Sequence, residues 1–438
     1  MTSLPEISNI SVVHSEACQL FPGGVNSPVR ACRSVGVCPP IVASAKDDIF
    51  INSEGEEYID FCGSWGALIH GHGHPEIVDA IAVAASKGSS YGITSFLEIS
   101  FAKKLLSYLG LQEHKVRFVS TGTEATMTSV RLACSITGRS ILIKFSGGYH
   151  GHADVFLNGI SITLENIESL NGLKLDNASS LTTLILPYND LELFQQVMKS
   201  IGSLVAAVIF EPVCANMGVI SPLPEVLEGI IATCHSYKSL SIMDEVVTGF
   251  RLAFGGARET FRLEPDITVY GKILGGGTPA AAIVAHKSIM DNLMPQGTVF
   301  QAGTFSGNSL AMAAGCKSLE LCRKEGFYQK LKDLELFFYQ PIEDAIAFRQ
   351  FPVSLSRQGS MFTFFFSEKV PTNFEEVCST NLTAFKNFYR LVFDDGVYLS
   401  PSPLEASFIS SVHKEENLAY AQNVIIDSLI KLFDKTVV

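Results

Sequence analysis

The amino-acid sequence predicts an α/β protein built around a large, mostly parallel sheet. Three observations support this fold class. With 438 residues, 47% of them hydrophobic, the chain is long enough to bury a large core and to form a second, smaller domain. Short apolar runs of strand length alternate with helical patterns, as in sheets that are buried on both faces. Thirty-five glycines are typical of tight loops at strand ends.

The order of these patterns predicts three regions. Residues 1–60 are expected to form an N-terminal segment with short strands, because Pro39-Pro40 and Ser53-Glu54-Gly55 are turn signals. The large α/β domain is expected over residues 61–310. Its predicted strands are 116–119, 141–145, 184–186, 204–210, 240–243 and 267–269, and its predicted helices are 76–87, 96–109, 126–135, 191–200 and 225–236.

The pattern changes after a long helical stretch at about 306–324. Residues 361–366, 374–392 and 408–412, followed by a final helix, predict a smaller α+β C-terminal domain over residues 311–438. In parallel sheets, ligands bind outside the carboxyl ends of the strands. We therefore expect the functional residues to cluster at that edge of the large sheet.

Composition excludes several classes of function. The net charge of −12, without basic clusters, is unfavourable for binding nucleic acid or an anionic membrane. No apolar run approaches the ~18 residues of a transmembrane helix, and the N-terminus lacks the pattern of a signal peptide. The ten cysteines are scattered and form no CxxC pair, which predicts free thiols in a reducing, cytoplasmic environment.

Lys272 and Asp244 indicate a cofactor. Lys272 lies between a short β-branched run and a triple glycine, and a lysine desolvated there has a lowered pKa and forms a Schiff base readily. Asp244 ends an apolar run, where a buried carboxylate needs a partner such as a pyridinium nitrogen. Together they indicate pyridoxal phosphate. The alternatives are a solvated surface lysine and, for Asp244, an ion pair with Arg251 or a helix cap.

Other residues suit the rest of such a cofactor. Ser120-Thr-Gly-Thr-Glu-Ala125 follows a strand and opens a helix, so its backbone N–H groups suit a phosphate, although a plain N-cap is the alternative. Tyr149 could stack on the ring, but an aromatic residue in a glycine turn is more often a packing residue. Asn216 could reach the ring hydroxyl.

Two further clusters suggest binding sites. Phe21-Pro-Gly-Gly-Val-Asn-Ser-Pro-Val-Arg30 places Arg30 on a rigid loop, where a guanidinium suits a carboxylate, although a surface turn is as compatible with the composition. His70-Gly-His-Gly-His74 crowds three histidines, but no carboxylate or cysteine stands at a metal-ligand spacing. We therefore predict a loop at a helix start and no metal site. A structural role is predicted for His150 and His152.

Taken together and in order, several motifs closely resemble the glutamate-1-semialdehyde 2,1-aminomutase family. The lysine and aspartate motifs mark only the wider class-III aminotransferases, whereas the Val-Asn-Ser-Pro-Val-Arg and Ser-Pro-Leu-Glu-Ala segments resemble the aminomutases. The resemblance covers nearly the whole chain. The motifs are Phe21–Arg30, Gly63-Ser-Trp-Gly66, Gly122-Thr-Glu-Ala-Thr-Met127, Tyr149-His-Gly-His-Ala-Asp154, Asp244-Glu-Val-Val-Thr-Gly-Phe-Arg251, Gly271-Lys-Ile-Leu-Gly-Gly-Gly277, Gln301-Ala-Gly-Thr-Phe-Ser-Gly-Asn308 and Gly396-Val-Tyr-Leu-Ser-Pro-Ser-Pro-Leu-Glu-Ala406.

The resemblance implies a fold-type-I, pyridoxal-phosphate-dependent homodimer with active sites at the subunit interface. It also implies a role for each matching residue. Lys272 would bind the cofactor and move protons, and Asp244 would face the pyridine nitrogen. The remaining roles would be ring stacking by Tyr149, contact of Asn216 with the ring hydroxyl, phosphate binding by Gly122, Thr123 and the other subunit's Thr304, carboxylate binding by Ser27 and Arg30, a pocket wall at Trp65, and a position near Arg30 for Glu405.

The implied reaction moves an amino group from C2 to C1 of glutamate 1-semialdehyde and gives 5-aminolevulinate for tetrapyrrole synthesis. The pyridoxamine form would donate nitrogen, and 4,5-diaminovalerate would be held as an intermediate. The alternatives are an ω-aminotransferase or an amino-acid racemase on the same scaffold, and, from another class, a catalytically inactive structural or regulatory homologue.

One departure from the family affects the active-site gate. The family has a mobile loop of small residues, rich in glycine and serine, after the Tyr-His-Gly-His-Ala-Asp motif, whereas in residues 155–174 here only Gly159 and Gly172 remain as obvious hinges. Lid closure excludes water and retains intermediates. The altered stretch therefore leaves open how well the diamine is retained and which amino acids can enter.

Overall fold

An eight-stranded sheet forms the centre of the computed structural model, which describes residues 9–163 and 181–433. Its strand order is β4-β11-β10-β9-β8-β5-β7-β6. Strand β11 is antiparallel to both of its neighbours, and the other pairs are parallel. The strands are β4 His114–Val119, β5 Ile141–Phe145, β6 Ile160–Ser161, β7 Thr182–Leu186, β8 Val205–Phe210, β9 Leu240–Glu245, β10 Ile267–Tyr270 and β11 Ala281–His286.

This sheet confirms the predicted α/β fold class. Every residue of β5, β8 and β10 is buried, as expected for parallel strands that are covered on both faces. The six predicted strands are all present. Strands β6 and β11 were not predicted; β11 is rich in alanine, which has a low β-propensity, and β6 is only two residues long.

There are two smaller sheets, and one of them joins the N-terminal segment to the C-terminal region. One has the order β1-β2-β3-β14 and the other the order β12-β13-β15. The strand Val397–Tyr398 of the predicted small domain thereby completes the sheet of the N-terminal segment. The predicted boundaries at 60/61 and 310/311 stay predictions. The strands are β1 Val42–Lys46, β2 Ile49–Asn52, β3 Glu57–Asp60, β12 Ser354–Gln358, β13 Met361–Phe365, β14 Val397–Tyr398 and β15 Ser407–Phe408.

Several helices were not predicted, among them the short helices Asp154–Leu157, Gly256–Thr260 and Lys287–Met290. The N-terminal helix Ile10–Leu20 and the helix Phe327–Arg349, which contains Pro341, were not predicted. The stretch 374–392 forms two helices, because Asn381 accepts a hydrogen bond from the N–H of Ala384 and starts a new one. The other helices are Pro75–Ala85, Phe96–Tyr108, Gly122–Thr137, Leu191–Ile201, Val226–Tyr237, Ser309–Cys322, Phe374–Cys378, Leu382–Asp394 and Glu415–Phe433.

The topology brings one set of strand ends together. Strand β4 and strands β5, β8, β9 and β10 run in the same direction, so their carboxyl ends meet at one edge of the large sheet. Within residues 9–163 and 181–433, no helix combines the length and apolar character needed to cross a membrane.

Candidate active site

Lys272 lies just beyond the carboxyl end of β10, where a strand end was predicted. Its backbone is left-handed, with a φ of 48°, and it opens a short 3₁₀ turn, Lys272–Gly275. Such a backbone in a residue other than glycine is uncommon and is often found at functional sites. Burial lowers the pKa of the Lys272 amine, while the nearby carboxylates of Glu405 and Glu211 raise it. The structure therefore places a desolvated amine at the ligand-binding edge of the sheet.

Asp244 lies beside it on the neighbouring strand. Residue 244 of β9 stands opposite residue 269 of β10, and the side chain is 5% exposed. Its Oδ1 accepts a hydrogen bond from the N–H of Val246 at 3.1 Å, and its Oδ2 lies 2.8 Å from Nδ1 of His150. The alternative of an ion pair with Arg251 is not observed, because the guanidinium of Arg251 donates to other groups.

His150 is a functional candidate that the sequence did not single out. Its Nδ1 is bonded to Asp244, and its Nε2 is buried without a hydrogen-bond partner among the described residues. An imidazole N–H that donates to a carboxylate fixes the orientation of that carboxylate. The signal in the sequence was only its position after Tyr149 in a glycine turn, which does not specify a partner 94 residues away.

Glu211 is a second candidate that sequence reasoning missed. It follows β8 and is buried, and its carboxylate accepts from the N–H of Tyr149 at 2.9 Å, the N–H of Ala215 at 3.0 Å and Nδ2 of Asn216 at 2.9 Å. Burial raises its pKa, while the nearby His150 lowers it. Glu211 therefore holds two of the predicted cofactor-contacting residues, Tyr149 and Asn216, in fixed positions.

The helix Gly122–Thr137 begins at the same edge, after β4. The N-cap is Thr121, whose side chain accepts from the N–H of Glu124, while the Glu124 carboxylate accepts from the N–H groups of Ser120 and Thr121. This capping box leaves the N–H groups of Gly122 and Thr123 without a partner in the described part of the chain. They are suited to an anion at the positive end of the helix.

Thr123 is also fixed from its side chain. Its Oγ1 accepts from the N–H of His152 at 3.3 Å and lies 3.2 Å from Nδ1 of the same residue. Gly151 packs so closely on Thr123 that a Cβ there would overlap it. This close approach explains the glycine between the two histidines and gives His152 a place beside the helix start.

Tyr149 and Glu405 complete the polar lining. Half of the surface of Tyr149 is exposed, so one face of its ring is accessible. Burial raises the pKa of Glu405 to about 7, opposed by the nearby Lys272 amine. Glu405 interacts electrostatically with Lys272 and Glu211, and its expected position near Arg30 stays a prediction.

Arg30 and Thr304 are exposed, and Ser27 is partly exposed. Ser27 precedes the short 3₁₀ helix Pro28–Ala31, and Arg30 is exposed on it without an ion-pair partner among the described residues. The segment is tied to the C-terminal motif through Ser34 Oγ, which donates to the carbonyl of Pro401 at 2.7 Å. Thr304 is exposed in the loop before the helix Ser309–Cys322.

Trp65 lies in a left-handed turn. Gly63, Ser64, Trp65 and Gly66 have φ values of 51°, 53°, 59° and 83°. Asp60 stabilises the start of the turn, because its Oδ1 accepts hydrogen bonds from the N–H groups of Cys62 and Gly63 at 2.8 and 3.0 Å. Gly66 has no room for a side chain, because a Cβ would come within 2.7 Å of the Phe408 ring.

The histidine-rich loop behaves as a structural element. His70 Nε2 lies 3.0 Å from the carbonyl oxygen of Ser318, and His72 Nε2 lies 2.8 Å from Asp60 Oδ2. His74 precedes the helix Pro75–Ala85. Across residues 9–163 and 181–433, no group of three histidine, cysteine or carboxylate side chains could hold a metal ion.

The start of the predicted gate is fixed to the sheet. Lys144 Nζ donates to the carbonyl of Phe156 at 2.9 Å, Thr183 Oγ1 donates to the carbonyl of Val155 at 2.7 Å, and β6 pairs with β7. Gly159 is a position of close packing rather than an open hinge, since a Cβ there would lie 2.8 Å from the Ile185 side chain. Gly172, the other predicted hinge, lies outside the described residues.

Replacing Gly159 with alanine is expected to lower the free energy of unfolding by about 1–3 kcal/mol, because the added methyl group overpacks a closed contact. Denaturant unfolding of the holoenzyme measures this change. Ile160→Ala is the matched control, since that side chain is half exposed and its loss should have little effect. Equal stability of Gly159→Ala and the wild type would show that the segment moves freely.

These groups together fit pyridoxal phosphate. The site has an amine whose pKa is lowered by burial, a buried carboxylate hydrogen-bonded to a buried imidazole, and two N–H groups at a helix start. These features match, in turn, the aldehyde, the ring nitrogen and the phosphate of the cofactor. The fit depends on groups from β4, β5, β8, β9 and β10, which meet at one edge.

Comparisons with known proteins agree with this arrangement. Residues 32–406 match the family model described as aminotransferase class-III. The chain is 62% identical, over 97% of both chains, to glutamate-1-semialdehyde 2,1-aminomutase of Chlamydia pneumoniae, and 59% identical to that of Chlamydia caviae over 98% of this chain and 100% of the relative. In fold, it is similar to an omega-transaminase from Sphaerobacter thermophilus (TM-score 0.86, 23% identity, 97% and 98% covered) and a glutamate-1-semialdehyde-aminomutase from Pseudomonas aeruginosa (TM-score 0.84, 22% identity, 97% and 94% covered).

Proposed function

We propose that this chain, which belongs to the class-III aminotransferase family, converts glutamate 1-semialdehyde to 5-aminolevulinate with pyridoxal phosphate as its cofactor. The observation that carries the proposal is the placement of the Lys272 amine beside the Asp244–His150 pair at one edge of the sheet. Relatives with 56–62% identity over nearly the whole chain bear the aminomutase name. The reaction is an isomerisation, so the amino group lost from C2 reappears at C1 and no external acceptor is consumed.

When bound, pyridoxal phosphate supplies a conjugated ring that accepts the electron pair left on carbon after a proton is removed. Asp244 would keep the ring nitrogen protonated, and His150 holds its carboxylate in place. Gly122 and Thr123 would bind the phosphate, Tyr149 would cover one ring face and Asn216 would reach the ring hydroxyl. These contacts fix the reacting carbons relative to Lys272.

Lys272 would then move protons between C1 and C2 of the substrate. Its amine stands at the same strand end as Asp244, and burial lowers its pKa, which favours the neutral, proton-accepting form. Glu405, whose pKa burial raises to about 7 and which interacts with the Lys272 amine, would exchange a proton with the same region. The protein's own contribution to the reaction is therefore proton transfer at the Lys272 amine.

Ser27 and Arg30 are proposed to bind the substrate carboxylate. The support is a rigid backbone of proline and glycine that presents an exposed guanidinium with no competing carboxylate among the described residues. Trp65 is proposed as a wall of the same pocket. Because the Arg30 segment lies on the surface of one chain, binding of substrate there requires further closure of the site.

We propose that a second copy of the chain closes the substrate site when a homodimer forms. Large apolar side chains are exposed in two neighbouring loops, and Thr304, the proposed phosphate ligand from the partner subunit, lies in the second of them. Exposure of such side chains to water is unfavourable in a monomer, whereas a second copy of the chain would bury them. These exposed side chains are Tyr91, Ile93, Phe96, Phe300 and Phe305. The ten free cysteines are compatible with the proposed location in the cytoplasm.

The decisive experiment is a product assay on the purified protein. We expect glutamate 1-semialdehyde to be converted to 5-aminolevulinate without any added amino donor or acceptor, and we expect no racemisation or deamination of a panel of D- and L-amino acids. Absence of product from the semialdehyde, together with turnover of another amine, would contradict the proposed function and favour a transaminase or racemase.

A further inference from the structure

Arg251 is a fully buried cation that the proposed reaction does not use. It is 1% exposed, and no carboxylate lies within ion-pair distance of it among the described residues. An arginine in such a position is rare, because burying a charge without a counter-ion is costly. Its neighbours should therefore explain why the guanidinium is there.

The guanidinium donates to neutral groups from three parts of the chain. Nη2 donates to the carbonyl of Gly66 at 2.5 Å, and Nη1 donates to Ser360 Oγ at 3.0 Å and to the carbonyl of Ile409 at 3.4 Å. The guanidinium also lies 4.7 Å from the centre of the Phe408 ring. Arg251 therefore joins the turn Gly63–Gly66 to β13 and β15 of the C-terminal region.

The turn that Arg251 holds is intrinsically unfavourable. Ser64 and Trp65 both have left-handed backbones, and each such residue costs about 1–2 kcal/mol. Arg251 donates to the Gly66 carbonyl at one end of the turn, and the Asp60 carboxylate accepts hydrogen bonds at the other end. A strained turn persists only where its surroundings fix it from several sides.

We infer that Arg251 is a positioning residue that fixes the left-handed turn and thereby sets where the Trp65 indole stands. The planar fork of arginine binds the Gly66 carbonyl and the Ser360 hydroxyl at once, which a lysine ammonium cannot reproduce in the same geometry. The inference rests on the proposed function only in taking Trp65 as a wall of the substrate pocket. The role of Arg251 involves no contact with substrate or cofactor.

Trp65 makes the inference directly measurable, because it is the single tryptophan of the chain. In the folded Arg251→Lys holoenzyme, the tryptophan emission maximum should shift and quenching by acrylamide should increase. In the same variant, KM for the semialdehyde should rise and kcat/KM should fall by about ten- to a hundredfold, as for a misplaced pocket wall. A role in stability alone would lower Tm but leave the emission of the folded protein unchanged.

Arg139→Lys is the matched control. Arg139 also donates to backbone carbonyls, those of Val205 and Tyr237 at 2.9 Å each, but it lies at the amino-terminal side of the sheet. Its replacement should lower Tm without changing Trp65 emission or KM. If Arg251→Lys does not fold, Ser360→Ala removes one acceptor of Arg251 and provides the same measurements.

Unchanged emission and quenching of Trp65 in a folded Arg251→Lys protein, or in Ser360→Ala if the former does not fold, would overturn the inference. The fluorescence measurement requires no turnover. A shifted emission in a protein that produces no 5-aminolevulinate would therefore support the role of Arg251 and contradict the proposed function separately.

Discussion

Replacement of Lys272 with alanine is expected to lower turnover of glutamate 1-semialdehyde by at least about a thousandfold, since the same amine binds the cofactor and moves the protons. The cofactor should remain bound without a covalent bond, because the N–H groups of Gly122 and Thr123 and the Asp244 carboxylate are unchanged. Product formation and cofactor absorbance after gel filtration measure the two effects.

Lys287→Ala provides the control for this prediction. Lys287 follows β11, the strand adjacent to β10, but it is exposed and pairs with Glu113. Its replacement should leave turnover unchanged. If Lys272→Ala retained more than about a hundredth of the wild-type rate, another group would have to be the base, and Glu405 would be the first to test because of its place beside the lysine.

Replacement of Asp244 with asparagine is the second large effect that we expect. The carboxylate and the pyridinium nitrogen would form a buried ion pair, and removing one partner of such a pair costs about 3–5 kcal/mol. At about 1.4 kcal/mol for each factor of ten, even the lower value gives about a hundredfold loss of kcat. The cofactor absorbance should also change, because the ring nitrogen would lose its proton. Steady-state kinetics and absorbance spectra measure both.

Asp266→Asn is a closely matched control, because Asp266 also pairs with a histidine next to β9 and β10. Its Oδ2 accepts from Ser241 N–H and Oγ at 2.8 and 2.7 Å and lies 3.4 Å from His235 Nε2. This pair is at the amino ends of the strands, away from Lys272. The control should lose stability but keep its kcat. Similar kcat values for Asp244→Asn and the wild type would exclude the assigned role of Asp244.

The sequence predicted those parts of the structure that depend on local patterns. Apolar runs such as 141–145 and 204–210 are strands, and Lys272 lies at a strand end, because burial on both faces leaves a clear pattern. Strand β11 was missed because alanine favours helices, and here its small side chains are selected by packing within the sheet.

Contacts between residues far apart in the sequence were the main features that the sequence analysis did not predict. His150 reaches Asp244 and Glu211 reaches Tyr149 only after the parallel strands have aligned their carboxyl ends, and no local pattern encodes that proximity. The neighbourhood of Arg30 and Glu405 stays a prediction. Arg251 was weighed as a partner of Asp244 from proximity in sequence, whereas its guanidinium contacts Gly66, Ser360 and Ile409.

The pairing of β14 with β3 has a consequence for how the chain folds during its synthesis. Ile59 is opposite Val397, so the N-terminal sheet needs a strand that is made more than 300 residues after β3. Until then, the edge of β3 is open to other chains, which favours aggregation of the nascent polypeptide. The N-terminal sheet can therefore be completed only after β14 has been made, and pairings of such long sequence separation form slowly.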